Sequence, residues 1–290
     1  MQINNNNISK MIAKRRWVRR LNLFRLPDKV FASHKGKKIF LSTNDWKGPS
    51  YHVLNWGIET YEKNNIDFLK KYLQSIDKPV FFDVGANVGI FSFMLATEMK
   101  DLRVFAFEPE KISYSCLSTT FTQSQFPFVR VLNNAVSDKK EKLMLYSDDQ
   151  NHGGHSLYQE MIKEEKNNIS NEYYVNTVSL DLFLHENAID KVDVVKMDIQ
   201  GHEGVALKGS QKLIDDHRPL FLMECYMKGL LSDDSELLKP FLNKNYGIIV
   251  PETGERVSLN KESLSALFKN QEAYIDLAFV PEEKMQIFLN

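Results

Sequence analysis

Cysteine is scarce in this chain, and long apolar runs are missing. The 290 residues include two cysteines, Cys116 and Cys225, which are too few for a disulfide framework or a thiolate metal site. No apolar stretch reaches the length of a membrane span, and the N-terminus carries charge where a secretory signal needs apolar residues. We therefore expect a cytoplasmic protein without a transmembrane segment.

The sequence also lacks an excess of charge of either sign. Lys and Arg together number 37, Asp and Glu number 38, and the formal net charge is -1. This balance gives no global attraction to a polyanion. We therefore expect no nucleic-acid partner. Composition and net charge do not specify the oligomeric state.

The N-terminal segment departs from this charge balance. The first acidic residue is Asp28, and apolar residues alternate before it with seven basic ones: Lys10, Lys14, Arg15, Arg16, Arg19, Arg20 and Arg25. The pattern predicts a short basic amphipathic helix. Such a helix either packs by its apolar edge or makes peripheral contact with an anionic membrane. We expect residues 1–75 to form this helix and a substrate-side extension, and residues 76–290 to form the main domain.

Five short apolar runs dominate the middle of the chain. They are Val80–Val84, Val104–Phe107, Val129–Leu132, Val192–Met197 and Leu220–Met223. Most are continuous rather than alternating, which indicates strands buried on both faces. Segments of helical composition follow the first, second and fourth runs, at 89–100, 110–123 and 203–216. This order predicts a doubly wound α/β fold with a parallel sheet, and the tail could add strands at 246–250 and 274–280, the last antiparallel.

A polar stretch at 148–170 interrupts this alternation. It contains His152, Gly153, Gly154 and His155, and it is a candidate substrate loop. Its second half, 163–168, has the composition of a flexible surface insertion. Because imidazole titrates near neutrality, His155 could remove a proton from a substrate. A solvated loop histidine is the alternative interpretation.

A glycine-containing turn follows the first predicted strand. Asp83 ends the strand, and Gly85, Asn87 and Gly89 precede a helix, where glycines permit tight bends and close approach of a ligand. About 20 residues further on, Glu108 ends the second strand, where a carboxylate can bind ribose hydroxyls. Asp83 would repel the pyrophosphate of NAD but attract the cationic groups of S-adenosylmethionine. The pattern favours S-adenosylmethionine, with an NAD-dependent oxidoreductase as the alternative.

Four ordered blocks resemble the FkbM family of methyltransferases. They are residues 81–89 (Phe-Phe-Asp-Val-Gly-Ala-Asn-Val-Gly), 107–109, 134–138 and 192–203, the last followed by Leu-Lys-Gly at 207–209. Gln200 stands where many members have glutamate. The resemblance implies a Rossmann-like class I methyltransferase fold with a mostly parallel seven-stranded sheet and helices on both faces. It also implies O-methylation of a sugar, glycan precursor or natural product, without specifying which acceptor.

The turn, the strand ends and the family blocks together define a predicted site. The predicted cofactor-binding residues are Asp83, Gly85, Ala86, Asn87, Gly89, Glu108, Pro109, Asn134, Ala135 and Val136. The predicted catalytic residues are Asp198, Glu224 and His155.

The two carboxylates carry the catalytic hypothesis. Asp198 and Glu224 follow the fourth and fifth predicted strands, at the sheet edge where ligands bind in such folds. Asp198 could act as general base or orient a substrate hydroxyl, and the pair could hold a divalent cation such as magnesium. A cap for the next helix is the alternative role for Asp198, and a catalytically silent binding module is the remaining alternative for the chain.

Overall fold

A computed structural model of the chain describes residues 27–123, 126–148, 151–164, 169–268 and 273–288. The predicted basic helix, which ends before Asp28, lies outside these residues, as do positions 165–168 of the predicted flexible insertion. Within the described ranges, no helix has both the length and the apolar character needed to cross a bilayer.

The strands and helices alternate along much of the chain. The strands are β1 (Lys29–His34), β2 (Lys37–Ser42), β3 (Val80–Val84), β4 (Arg103–Phe107), β5 (Val129–Leu132), β6 (Ala135–Val136), β7 (Lys142–Ser147), β8 (Asn171–Val178), β9 (Val194–Met197), β10 (Leu220–Tyr226), β11 (Tyr246–Val250), β12 (Glu255–Val257) and β13 (Tyr274–Pro281). The α-helices are α1 (Pro49–Trp56), α2 (Lys63–Leu73), α3 (Ile90–Glu98), α4 (Lys111–Gln123), α5 (Gln159–Glu164), α6 (Leu180–Glu186), α7 (Glu203–Lys208), α8 (Met227–Leu230) and α9 (Lys261–Leu267).

The main sheet has the order β12-β11-β13-β10-β9-β3-β4-β5. The strands from β5 to β10 in this order run parallel to one another. Strand β13 is antiparallel to both of its neighbours, β10 and β11. The predicted α/β class is confirmed, including the antiparallel last strand. The short strand β12 is an addition at the edge of the predicted seven-stranded sheet.

The central strands are buried on both faces, as their continuous apolar runs predict. All five residues of β3 are buried, and neighbouring residues belong to different apolar cores. Phe81 packs into one core with Val194, and Phe82 packs into the other with Val195. Since side chains alternate across a strand, each face of the sheet is covered by its own layer of helices.

A small second sheet with the order β6-β8-β7 was missed by the sequence interpretation. Strand β6 has only two residues, and the first half of β8 is exposed. Neither feature gives a continuous apolar run, so the pattern that revealed the main sheet is missing here. Helix α6 follows β8 directly, and Ser179 caps it by accepting a hydrogen bond from the backbone N–H of Leu182 at 3.3 Å.

The N-terminal hairpin β1-β2 packs against helix α4, about 80 residues later in the chain. The ammonium of Lys29 donates to the carbonyl of Ser115 at 2.9 Å. The backbone N–H of Phe40 donates to Thr120 Oγ1, also at 2.9 Å. Ile39 in β2 is fully buried in the same apolar core as β3. The described part of the predicted N-terminal extension therefore shares a core with the main sheet.

One predicted helix is divided into two shorter pieces. The helical pattern at 203–216 gives α7, which ends at Lys208, and a separate π-helical turn at Leu213–His217. Gly209 lies so close to the backbone of another segment that a Cβ there would be 2.6 Å from the carbonyl oxygen of Ser137. This close approach coincides with the break between the two helical pieces.

Candidate active site

A cleft of about 740 Å³ opens at the carboxyl edge of the parallel strands. The segments that follow β3, β4, β5 and β9 all line it. Eight predicted cofactor-binding residues contribute to the lining: Gly85, Ala86, Asn87, Glu108, Pro109, Asn134, Ala135 and Val136. We call this part of the cleft, where the cofactor-binding residues were predicted, the nucleotide end. The sequence interpretation therefore brought together residues that the fold does place side by side.

The two glycines of the turn are favoured by their backbone conformation and by close contacts. Gly85 has a φ of +74°, and a Cβ there would lie 1.9 Å from the backbone oxygen of Asp198. Gly89 has a φ of +88°, and its Cβ would meet Leu117 of α4 at 2.4 Å. Positive φ and these close approaches both favour glycine. Asn87 also lies in the left-handed region, at +53°, which asparagine tolerates well.

Asp83 lies outside the lining of the cleft. It is fully buried, and one carboxylate oxygen accepts hydrogen bonds from the hydroxyl of Ser92 at 2.6 Å and from its backbone N–H at 3.2 Å. Burial raises the pKa of Asp83, and the nearby ammonium of Lys196 opposes this shift. Asp83 thus links the β3 strand end to helix α3, and its predicted contact with the cofactor stays a prediction.

Glu108 holds the turn from the opposite side. Its carboxylate accepts hydrogen bonds from the backbone N–H groups of Asn87, at 2.8 Å, and Glu110, at 2.7 Å. Burial raises the pKa of Glu108 to about 8, although these two hydrogen bonds favour the ionised form. Each carboxylate oxygen keeps a second lone pair that can accept a hydrogen bond from a ligand hydroxyl.

Asp198 lies at the centre of a polar network rather than at a helix cap. One carboxylate oxygen is 3.2 Å from the ammonium of Lys196, and the other accepts from the amide of Gln200 at 2.9 Å. The same amide nitrogen donates to Glu224 at 2.9 Å. The side chain of Gln200 therefore separates the two carboxylates. Since a neutral amide donates to both of them, their arrangement does not fit the magnesium site predicted for this pair.

Lys196 is a buried cation among these carboxylates. Its ammonium also donates to the carbonyl of Gly85 at 3.1 Å. Burial disfavours its charge, but the carboxylates of Asp198, Asp83 and Glu62 raise its pKa above the ordinary value. Lys196 therefore stays charged and supports the floor of the cleft, as expected for a structural ion pair.

Glu224 lies inside strand β10, because this strand continues three residues beyond the predicted end at Met223. Its antiparallel partner in β13 is Asp276. The sequence interpretation missed Asp276 because its position next to Glu224 depends on the register of two strands that are distant in sequence. It also missed Glu62, which precedes α2 and has a left-handed backbone with φ of +40°.

Four carboxylates surround a smaller cavity of about 180 Å³ that adjoins the cleft. Its lining includes Glu62, Asp198, Glu224 and Asp276, together with Lys196. We call this part of the site the acidic end. Asn65 donates one hydrogen bond to Glu62 at 3.2 Å and one to Asp276 at 2.7 Å. Burial raises the pKa of Glu62 to about 7 and that of Asp276 to about 6.

His155 also lines the cleft, but its polar contacts are with another group of residues. Its Nδ1 accepts a hydrogen bond from the backbone N–H of Asp148 at 3.2 Å, and its Nε2 is 3.9 Å from Glu110. Burial lowers the pKa of His155 to about 4, so its ring is neutral at pH 7. Its predicted role as a proton acceptor stays a prediction.

Glu203 and His202 have structural roles at the start of α7. The buried carboxylate of Glu203 accepts a hydrogen bond from the backbone N–H of Ile199 at 2.8 Å. A ring nitrogen of His202 lies 3.0 Å from the hydroxyl of Ser137. These contacts fix the turn that follows β9 and therefore the backbone that carries Asp198.

The model of the family described as "Methyltransferase FkbM domain" matches residues 83–247. The chain belongs to the FkbM methyltransferase family. Methyltransferase sdnD of Sordaria araneosa is 23% identical over 155 residues, which are 45% of this chain and 60% of that protein. The matched region thus spans 60% of the length of this curated relative.

Solved methyltransferase structures resemble this FkbM-family chain. The methyltransferase FkbM of Methylobacillus flagellatus KT has a TM-score of 0.47 at 17% identity, covering 79% of this chain and 52% of that one. A SAM-dependent methyltransferase of Agrobacterium tumefaciens has a TM-score of 0.47 at 9% identity, covering 90% and 72%.

Proposed function

We propose that this FkbM-family protein transfers the methyl group of S-adenosylmethionine to a hydroxyl group of a sugar, glycan precursor or natural product. The observation that carries the proposal is the junction of the nucleotide end and the acidic end at Asp198. One end has groups suited to an adenosine ligand, and the other has groups suited to a polar acceptor. A methyl transfer needs these two ligands in line and in contact.

The nucleotide end fits S-adenosylmethionine. Glu108 offers carboxyl lone pairs to ribose hydroxyls, and Asn134, Ala135 and Val136 line the cleft where the adenine would lie. The carboxylates of the adjoining acidic end suit a cationic ligand better than an anionic pyrophosphate. When bound, S-adenosylmethionine supplies a methyl group on a sulfonium, which is an activated leaving group.

The acidic end fits an acceptor with several hydroxyl groups. Carboxylates and amides accept and donate the hydrogen bonds that bind such a molecule. We propose that Asp198 orients the reacting hydroxyl and that Glu62, with its pKa of about 7, accepts its proton. Glu224 then binds a neighbouring hydroxyl. In the metal-free protein, we propose His155 as a second proton acceptor on the nucleotide side.

The remaining expectations concern the whole protein. We propose that residues 1–75 contribute to the acceptor side, since Glu62 and Tyr61 line the cleft, and that residues 76–290 form the methyltransferase domain. A cytoplasmic location and peripheral membrane contact through the basic N-terminus also stay proposals.

The first experiment is calorimetric titration of the purified chain with S-adenosylmethionine, S-adenosylhomocysteine and NAD. We expect saturable binding of both adenosyl ligands and no binding of NAD. Glu108→Ala should abolish this binding, while Glu141→Ala, on the surface before β7, should leave it intact. Binding of NAD alone would support the oxidoreductase alternative. Folded protein that binds none of the three would contradict the proposal.

A second experiment separates chemistry from cofactor binding. Once a methyl acceptor has been found by screening with radiolabelled S-adenosylmethionine, Asp198→Ala should abolish turnover. Its affinity for S-adenosylhomocysteine should stay within about an order of magnitude, because the nucleotide end is intact. A fully active Asp198→Ala protein would remove Asp198 from the mechanism.

A further inference from the structure

We propose that Glu110, His152 and His155 bind a divalent transition cation of the zinc class beside the nucleotide end. Each residue offers one ligand atom, and these three atoms all lie within 4.8 Å of one another. The cluster is separate from the carboxylates of the acidic end, and the proposal does not depend on methyl transfer.

His152 is the observation that points to a ligand. Its side chain is 1% exposed, and among the described residues neither of its ring nitrogens has a hydrogen-bond partner. A buried polar group without a partner is unfavourable, because it has lost its hydrogen bonds to water. A cation bound by one of these nitrogens removes the penalty at that nitrogen.

The other two ligand atoms already face each other. Glu110 Oε2 lies 3.9 Å from His155 Nε2, and both side chains are buried. Zinc bonds of about 2.1 Å in a tetrahedral arrangement separate two ligand atoms by about 3.4 Å. The cluster therefore has to contract by between about 0.5 and 1.4 Å to hold the ion, which is within the reach of side-chain rotation.

The loop that carries the histidines is fixed at the right place. The amide of Asn87 donates to the carbonyl of His152, and the backbone N–H of His152 donates to Asp45 at 3.3 Å. Glu110 is fixed as well, because its Oε2 accepts the backbone N–H of Ser113 at 2.7 Å. A carboxylate oxygen has a further lone pair for a metal ion.

One existing contact has to change on binding. The backbone N–H of Asp148 donates to Nδ1 of His155 at 3.2 Å, so the ring proton is on Nε2. For Nε2 to bind a cation, this proton must leave Nε2 and Nδ1 must take up a proton. The hydrogen bond from Asp148 is then lost, and the two N–H groups, which would face each other at 3.2 Å, must move apart. One long hydrogen bond is exchanged for a metal–nitrogen bond.

The ligand types select the ion. Two imidazoles and one carboxylate suit zinc, cobalt or iron, whereas magnesium prefers a shell of oxygen ligands and water. We therefore expect transition cations to bind and magnesium not to compete with them.

The test is titration of the EDTA-treated full chain with Co²⁺, followed by visible absorption. We expect one equivalent of Co²⁺ per chain, displacement by Zn²⁺ and no displacement by a large excess of Mg²⁺. His152→Ala and Glu110→Gln should each weaken Co²⁺ binding by at least about tenfold. Glu110→Gln keeps an oxygen that can accept the N–H of Ser113, so the start of α4 stays capped.

The matched control is His185→Ala, which removes an exposed histidine of α6 and should leave Co²⁺ affinity unchanged. Circular dichroism checks that each variant is folded, and His155→Gln replaces His152→Ala if that variant unfolds. Two results would overturn the proposal. One is the lack of a saturable Co²⁺ site, and the other is equal affinity in the cluster variants and the His185→Ala control.

Discussion

The two ends of the cleft are built differently. At the nucleotide end, the turn after β3 is held by backbone groups, and Glu108 accepts two backbone N–H groups. At the acidic end, side chains contact side chains, with Lys196 and the amide of Gln200 between carboxylates. Backbone-built sites leave a local sequence pattern, whereas side-chain networks depend on tertiary register. Replacing a charged side chain by a neutral one should therefore destabilise the fold less at the nucleotide end than at the acidic end.

The largest expected effect is that of Lys196→Met at the acidic end. The variant leaves the buried carboxylates without their cation, and loss of one partner of a buried ion pair typically costs about 3–5 kcal/mol. Urea unfolding measures this change in the free energy of unfolding. Lys63→Met removes an exposed ion pair with Asp67 and should cost less than about 1 kcal/mol. Similar values for both variants would contradict the buried network.

Gly85→Ala should have the second largest effect, because it tests the point where the two ends meet. A Cβ would clash with the backbone of Asp198 at positive φ, and overpacking with backbone strain should cost about 2–4 kcal/mol. The control is Gly254→Ala, which has a similar φ of +73° and open space around its Cβ. Thermal unfolding of Gly254→Ala measures the cost of backbone strain alone, and the additional loss in Gly85→Ala measures the clash. Equal destabilisation of the two variants would show that the clash is relieved.

Gln200→Glu tests the network with a smaller change. The variant replaces the amide that donates to Asp198 and Glu224 by a third carboxylate, and we expect a loss of about 1–3 kcal/mol at pH 8. Because protonation of one carboxylate relieves the repulsion, the loss should shrink at pH 5. Chemical denaturation at the two pH values measures this difference. A loss independent of pH would argue against repulsion as its cause.

Glu108→Gln should have the smallest effect on stability near pH 4, where Glu108 is protonated in both the folded and the unfolded chain. The pKa of Glu108 is raised from 4.5 to about 8 in the folded state, so folding takes up a proton between these values. The contribution of Glu108 to stability is therefore complete below pH 4.5 and is lost as pH rises towards 8. The variant should lack this loss. The free energy of unfolding should therefore fall less steeply with pH in the variant, by up to about 1 kcal/mol per pH unit. Parallel pH profiles for both proteins would contradict the raised pKa.

Sequence patterns placed the residues of the nucleotide end together because its parts are local, and cofactor binding by these residues stays a prediction. The continuous apolar run of β3 and the turn after it indicate the strand, the turn and the cleft from a few adjacent residues. Glu108 was predicted for the same reason, since it ends the next strand. Asp83 shows the limit of this reasoning, because the pattern places an acid at the strand end but does not show that it faces Ser92.

The acidic end was predicted only in part, for physical reasons. Asp198 directly follows β9 and was predicted to lie at this edge of the sheet, but Asp276 joins the site through the antiparallel register of β10 and β13. Glu62 enters through the packing of α2 against the sheet, which no periodicity encodes. The small sheet was missed because short, half-exposed strands carry a weak apolar signal.

The packing of the β1-β2 hairpin on α4 has a consequence for biosynthesis. The N–H of Phe40 reaches its partner Thr120 only after 80 further residues have been added, which takes about 4–16 s at ordinary translation rates. During that interval the apolar face of β2 has no α4 to cover it. The hairpin is thus accessible to chaperones during this interval, and slow codons before α4 would lengthen it.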